Sequence, residues 1–268
     1  MVPAFGTEEE DLRRLYDLGV VPYSDDFTNA KSRLLTLARQ VRDSTRDGAL
    51  VSVLVQGAAG SGKTAIMANV ALEAGFAYVK LVSPDQLILH HQGSKVAKIS
   101  QVFEDAYKTP LAMIVIDDVE RLLEYASVKA SVTFSNMVLQ ALMVLLKRRP
   151  PSKCRLMVMV STSMFDQMQL LHLDSVFHSV VGLPMLSKPG EFKCVLEAAG
   201  NMDAQVADTI SKSMTQAMTI KGLLNAVATA SHECPTGITV AAFLSAVAMA
   251  PMHGHHTDHT DHMCGTDE

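Results

Sequence analysis

Residues 57–64 read Gly57-Ala58-Ala59-Gly60-Ser61-Gly62-Lys63-Thr64, and this octet decides the fold. It fits the pattern G-x-x-x-x-G-K-[ST], in which glycines let successive backbone N–H groups turn inward onto phosphate oxygens. Lys63 is placed to reach the β- and γ-phosphates of a nucleotide, and the Thr64 hydroxyl to ligate magnesium. The flanks supply the context that the pattern needs. Leu50 to Val55 reads as a buried, β-branched strand, and Ala65 to Ala74 has the composition of a helix. Such a helix turns its positive end toward the same phosphates.

Working outward, strands and helices alternate. Lys31 to Val41 has Leu34, Leu35, Ala38 and Val41 at helical spacing. Further strands are expected at Ala77 to Val82, Ala112 to Ile116, Leu156 to Val160 and Phe177 to Val181, with helices at Lys95 to Tyr107 and Phe134 to Lys147. The Pro150-Pro151 pair stops the last of these. The alternation predicts an α/β fold, a parallel sheet with helices on both faces. The strand at 112–116 ends in Asp117-Asp118, which aims Asp117 at a magnesium shell on the carboxyl edge of that sheet. After Pro184 only helices are expected, at Glu191 to Ala199, Ala204 to Met214, Ile220 to Ala230 and Val240 to Ala248. The chain therefore divides into a nucleotide-binding α/β domain over 1–184, a small helical lid over 185–250, and a tail over 251–268. The first thirty residues of the α/β domain are polar and turn-rich. The tail is rich in histidine and aspartate with no core formers beyond Met, and is expected to be disordered.

Composition excludes several classes. The chain has 268 residues, 48% hydrophobic and 19% charged, enough for a sizeable core. Lys plus Arg total 23 against 28 Asp plus Glu, a net charge of -5, so no basic excess favours a nucleic-acid partner. The most apolar run, Met137 to Leu146, is too short for a membrane span, which needs about 20 apolar residues. Glu8 to Asp11 interrupt any leader-like segment. Cysteines at 154, 194, 234 and 264 show neither metal-knuckle spacing nor a disulfide framework. A soluble protein of the cytoplasm is expected, peripheral to membranes.

The two nucleotide motifs followed by a helical segment resemble the AAA+ ATPases, a family of P-loop NTPases. Within it, several stretches are similar to the second ATPase domain of the vesicle-fusing ATPases, which disassemble SNARE complexes. These are Pro3-Ala4-Phe5-Gly6-Thr7, Leu50-Val51-Ser52-Val53-Leu54, Ile116-Asp117-Asp118-Val119-Glu120-Arg121-Leu122-Leu123, and Phe134-Ser135-Asn136 running into Leu139-Gln140-Ala141-Leu142. The resemblance covers residues 3–248 or so and implies an ATP- and Mg2+-binding homo-hexamer. In the full-length protein it implies SNARE complexes as partners through adaptor (SNAP) proteins.

The resemblance also implies roles for single residues. Asp118 stands where active members place a glutamate that polarises the attacking water, and it is one methylene shorter. Glu120, two residues on, is expected to be a solvent-facing helical residue. Ser163 stands where active members usually place an asparagine. Lys221 matches a lid lysine that approaches the γ-phosphate. Gly19-Val20-Val21 corresponds to a segment beside the adenine. Arginine fingers are expected between the fourth and fifth strands, yet Met164 to Pro184 contains no Arg or Lys. Leu87 to Gly93 lacks an aromatic residue other than histidine for gripping a polypeptide. Together these imply a domain that binds ATP well, hydrolyses it slowly and holds a hexamer together. The alternatives are an actively hydrolysing AAA+ motor or unfoldase subunit, and a P-loop small-molecule kinase. The histidine-rich tail has no periodic apolar face with which to dock. Deleting residues 253–268 is therefore expected to leave ATP affinity and oligomer size unchanged; a large fall in melting temperature on truncation would show that the tail packs.

Overall fold

Every second residue of three central strands faces one side of the sheet, and the sequence fills both sides with apolar groups. Val53, Val55, Met113, Val115, Met157 and Met159 point into one core, whereas Leu54, Ala112, Ile114, Ile116, Leu156, Val158 and Val160 point into the other. That two-sided pattern belongs to a parallel sheet covered by helices on both faces. The computed structural model describes residues 12–13, 20–128, 131–199, 202–234 and 237–249. The histidine-rich tail, Gly19 and the segment Pro3 to Thr7 lie outside the described residues.

The chain runs α1 (Asp25–Arg42), β1 (Leu50–Gln56), α2 (Lys63–Glu73), β2 (Tyr78–Val82), α3 (Gln92–Ala106), β3 (Leu111–Ile116), α4 (Val119–Leu122), β4 (Ala126–Val128), β5 (Ser131–Thr133), α5 (Asn136–Lys147), β6 (Arg155–Thr162), α6 (Phe165–Leu170) and β7 (Ser179–Gly182). Helices α7 (Pro189–Ala198), α8 (Ala204–Ser213), α9 (Ile220–Glu233) and α10 (Val240–Met249) follow. Five strands form one sheet in the order β2-β3-β6-β1-β7, and all the pairings are parallel. Gln56 pairs with Thr162, and Ile116 with Val160, so β1 and β6 end level and β3 stops two residues short of them at the same edge. Adjacent strand ends at such an edge are where α/β folds place ligands.

Two features depart from the sequence reading. Helix α1 begins at Asp25 rather than near Lys31, because Ser24 caps it by accepting from the Phe27 N–H, and Asp25 and Asp26 favour its first turn. Residues that look like a polar turn are a helix start. The antiparallel pair β4–β5 was not expected; it is short and exposed, with no alternating apolar pattern to announce it.

The C-terminal helices pack on the α2 side of the sheet, where Phe192, Ile210, Leu223 and Phe243 join the core of β1 and α2. Leu186 and Met218 exchange backbone hydrogen bonds at 2.8 and 2.9 Å, fastening the entry to this helical part. Tyr23, 5% exposed, donates from its hydroxyl to the Pro184 carbonyl at 2.8 Å, which pins the segment before α1 to the chain leaving β7. Removing that donor leaves a part-buried carbonyl short of a partner, at a cost of about 0.5–1.5 kcal/mol. Tyr23→Phe is expected to lower unfolding free energy by that amount, read as an earlier urea midpoint at unchanged slope.

Candidate functional site

Beyond Gln56 the backbone turns back on itself before α2 begins. Gly60 and Gly62 have φ of +83° and +92°, the left-handed region that side chains disfavour. At Gly60 a Cβ would also lie 2.9 Å from the Lys221 Cβ, so the lid helix α9 sits directly on the loop. The Lys221 N–H donates to the Gly60 carbonyl at 3.0 Å. Gly62 caps α2 with no side-chain hydrogen bond, leaving the helix end open toward the cleft.

Lys63, on the first turn of α2, is 5% exposed. Its ammonium donates to the Gly57 and Ala58 carbonyls at 2.9 and 3.0 Å and to Ser163 Oγ at 2.8 Å. Burial pushes its pKa down, and the charges of Asp118, Glu120 and Asp117 oppose that shift. The Thr64 hydroxyl lies 2.9–3.0 Å from both Asp117 oxygens, although 53 residues separate the two. Ser161 completes this corner: its hydroxyl donates to Asp117 Oδ1 at 2.5 Å and accepts from the Asp118 N–H at 2.8 Å. Sequence reasoning missed Ser161; its place one strand over from Asp117 follows only from the β3–β6 pairing.

Asp118 adopts the left-handed region, with φ of 45°. Its carboxylate lies 3.6 Å from Arg121 Nε and is 35% exposed. Burial raises its pKa, and the neighbouring Asp117 and Glu120 raise it further, against Lys63 and Arg121. Glu120 corrects the sequence reading. It is 7% exposed rather than solvent-facing, and its Oε1 accepts the Ser163 N–H at 2.9 Å. The reason is the left-handed turn at Asp118, which brings the first turn of α4 back over the strand ends.

One open cleft of about 1870 Å³ collects these groups. Gly57, Ala58, Ala59, Gly60, Gly62, Lys63, Thr64, Asp117, Asp118, Ser163 and Lys221 all line it, as do Val20 and Val21 beside Ile220, Leu224 and Val227 of α9. Ser61 does not line it but is fully buried in the loop, and its hydroxyl has no hydrogen-bond partner. The inward-turned loop and a lysine held only by neutral oxygens fit a bound polyphosphate. Two adjacent hard oxygen donors, Thr64 and Asp117, fit magnesium, which takes few protein ligands when phosphates supply the rest.

Residues 53–184 match the ATPase family associated with various cellular activities (AAA). The chain is 36% identical over 238 residues to the vesicular-fusion protein SEC18 of Saccharomyces cerevisiae, covering 87% of this chain and 31% of that protein. It is 40% identical over 186 residues to the vesicle-fusing ATPase of Arabidopsis thaliana, covering 69% and 25% respectively. A vesicle-fusing ATPase of Dictyostelium discoideum is 31% identical over 233 residues, 87% of this chain and 31% of that protein. The chain thus spans between 25% and 31% of the length of these relatives. Because the identity runs well beyond the generic phosphate loop, through most of the chain, this protein belongs to the AAA ATPases and is homologous to the vesicle-fusing ATPases.

Proposed function

We propose that this chain is a Mg-ATP-binding hexamerisation domain of a vesicle-fusing ATPase, cytoplasmic and slow to hydrolyse its nucleotide. The observation that carries the reading is the lid–loop contact: Lys221 closes on Gly60, so one ligand at the loop touches the sheet, α2 and the C-terminal helices together. Lys63 and the amides of residues 57–64 would hold the phosphates, and Val20 and Val21 would lie beside the base. Thr64 and Asp117 would hold magnesium, which neutralises charge on the phosphates when bound. Ser163 and Lys221 would meet the γ-phosphate end, with Asp118 at the same edge. A ligand that favours the assembled state stabilises it by mass action, so ATP becomes an assembly factor. No helix among the described residues is long and apolar enough to cross a membrane. In the longer protein the work on SNARE complexes, reached through SNAP adaptors, would fall to other domains.

Slow turnover follows from what the catalytic edge lacks. Asp118 is short for a water-polarising carboxylate and is drawn toward Arg121. Residues 164–184, which carry α6 and β7, supply no cation to a neighbouring subunit. A missing arginine finger removes roughly 10³–10⁵ in turnover. An active motor would place cations there.

Two measurements test the reading. Sizing with ATP is expected to give a hexamer, and Lys63→Ala to abolish both tight ATP binding and the assembled ring. An intact hexamer lacking nucleotide overturns ATP as the assembly ligand. Steady-state phosphate release is expected to fall well below the common enzyme range of roughly 1–10³ per second, and turnover within that range favours the motor instead.

A further inference from the structure

The mechanism leaves one buried group unused. Glu120 has two oxygens in different circumstances. Oε1 accepts from the Ser163 backbone at 2.9 Å, whereas Oε2 is buried without a partner. The residue is more than nine-tenths buried and lines the same cleft as Lys63, Asp118 and Ser163. Ser163 Oγ in turn accepts from the Lys63 ammonium at 2.8 Å, so Glu120 stands two hydrogen bonds from the phosphate-loop lysine. Its charge acts on that lysine alongside those of Asp117 and Asp118.

A buried acceptor with no donor costs about 1–3 kcal/mol, more when it is charged. Oε2 is closed to solvent in this structure, and a water admitted beside it when a phosphate engages Lys63 and Ser163 would remove that cost. Asp118 is less suited to the task. Its carboxylate is more exposed and leans on Arg121 at 3.6 Å, and its backbone is tied to Ser161.

We infer that Glu120, rather than Asp118, is the carboxylate that orients the attacking water, with Oε1 fixing Ser163 and Oε2 receiving the water. This rests on the ATP reading above. The water oxygen forms a bond to the γ-phosphorus. The bond from that phosphorus to the bridging oxygen breaks, and its electron pair leaves with ADP. The water proton passes to Oε2 and is released to solvent with phosphate. Helix α4 is thereby a positioning element, and the left-handed turn at Asp118 exists to bring position 120, not position 118, over the strand ends.

The variant Glu120→Gln separates the two oxygens. Its amide oxygen can still accept from Ser163, while an NH2 group replaces the acceptor at Oε2. In the full chain, single-turnover hydrolysis of radiolabelled ATP is expected to fall about 10²-fold. The affinities for fluorescent ATP and ADP analogues and the melting temperature should stay at wild-type values. Glu120→Ala removes both contacts, and is expected also to weaken ATP relative to ADP, because Ser163 is no longer held against Lys63. Asp118→Asn should lose less turnover than Glu120→Gln. The inference is overturned if Glu120→Gln hydrolyses like wild type, if Asp118→Asn suffers the larger loss, or if wild type binds ATP with no measurable hydrolysis. The last outcome leaves the ATP-binding reading standing. A wild-type chain that binds no ATP removes both. Should Glu120→Gln melt well below wild type, the Asp118→Asn result decides: retained hydrolysis supports the inference and its loss sinks it.

Discussion

A single buried ammonium organises this molecule. Lys63 is enclosed at the start of α2, and desolvation disfavours its charge. Two loop carbonyls and one serine hydroxyl take its three protons in hydrogen bonds, while three carboxylates stand nearby without a direct ion pair to it. Neutral oxygens satisfy its donors but do not neutralise its charge. A phosphate does both. The loop, the ends of β3 and β6 and the lid are all arranged around that need, and moving any one of them changes the environment of the same ammonium.

The sheet makes the arrangement possible. With β6 between β1 and β3, and all three reaching the same edge within two residues of one another, the residues just past each end become neighbours. Gly57, Ser163 and Asp117 thus meet although they lie far apart in sequence. Cross-edge hydrogen bonds lock the alignment: the Gly57 N–H to the Thr162 carbonyl at 3.3 Å, the Asp117 N–H to the Val82 carbonyl at 2.9 Å, and the Leu183 N–H to the Gln56 carbonyl at 2.8 Å. Packing on both faces holds the strands against slippage, because a shift of one residue would exchange the side chains fitted into the two cores.

Coupling between the sheet and the C-terminal helices is equally physical. The helices share one core with β1 and α2, not with the opposite face of the sheet. Their hold on the phosphate loop is short: one backbone hydrogen bond from Lys221 and the close approach of its Cβ to Gly60. A ligand at the loop therefore bears on the position of α9 directly, which is what an assembly role for nucleotide requires.

Local sequence was enough for the fold class, the five strands of the sheet, the four C-terminal helices and the glycine-rich turn that leads from β1 into α2. Those features are local: glycine at left-handed positions, continuous apolar strands rich in β-branched residues, apolar spacing near 3.6 in helices and a lysine fixed within its own loop. It also singled out Asp117, which the structure sets 2.9–3.0 Å from the Thr64 hydroxyl. Tertiary structure decided the rest. The start of α1 depended on a cap at Ser24 that reads as a turn, and the β4–β5 pair carried no periodic signal. Glu120 looked solvent-facing because two residues of separation say nothing of direction when the intervening backbone leaves the ordinary helical region. The turn at Asp118, with φ of 45°, reversed that expectation. Ser161 was invisible for a different reason: its partner Asp117 lies on another strand, and only the β3–β6 register brings the two within 2.5 Å. Local chemistry is written in neighbouring residues, whereas the direction of a side chain across strands is set by register and by single backbone angles.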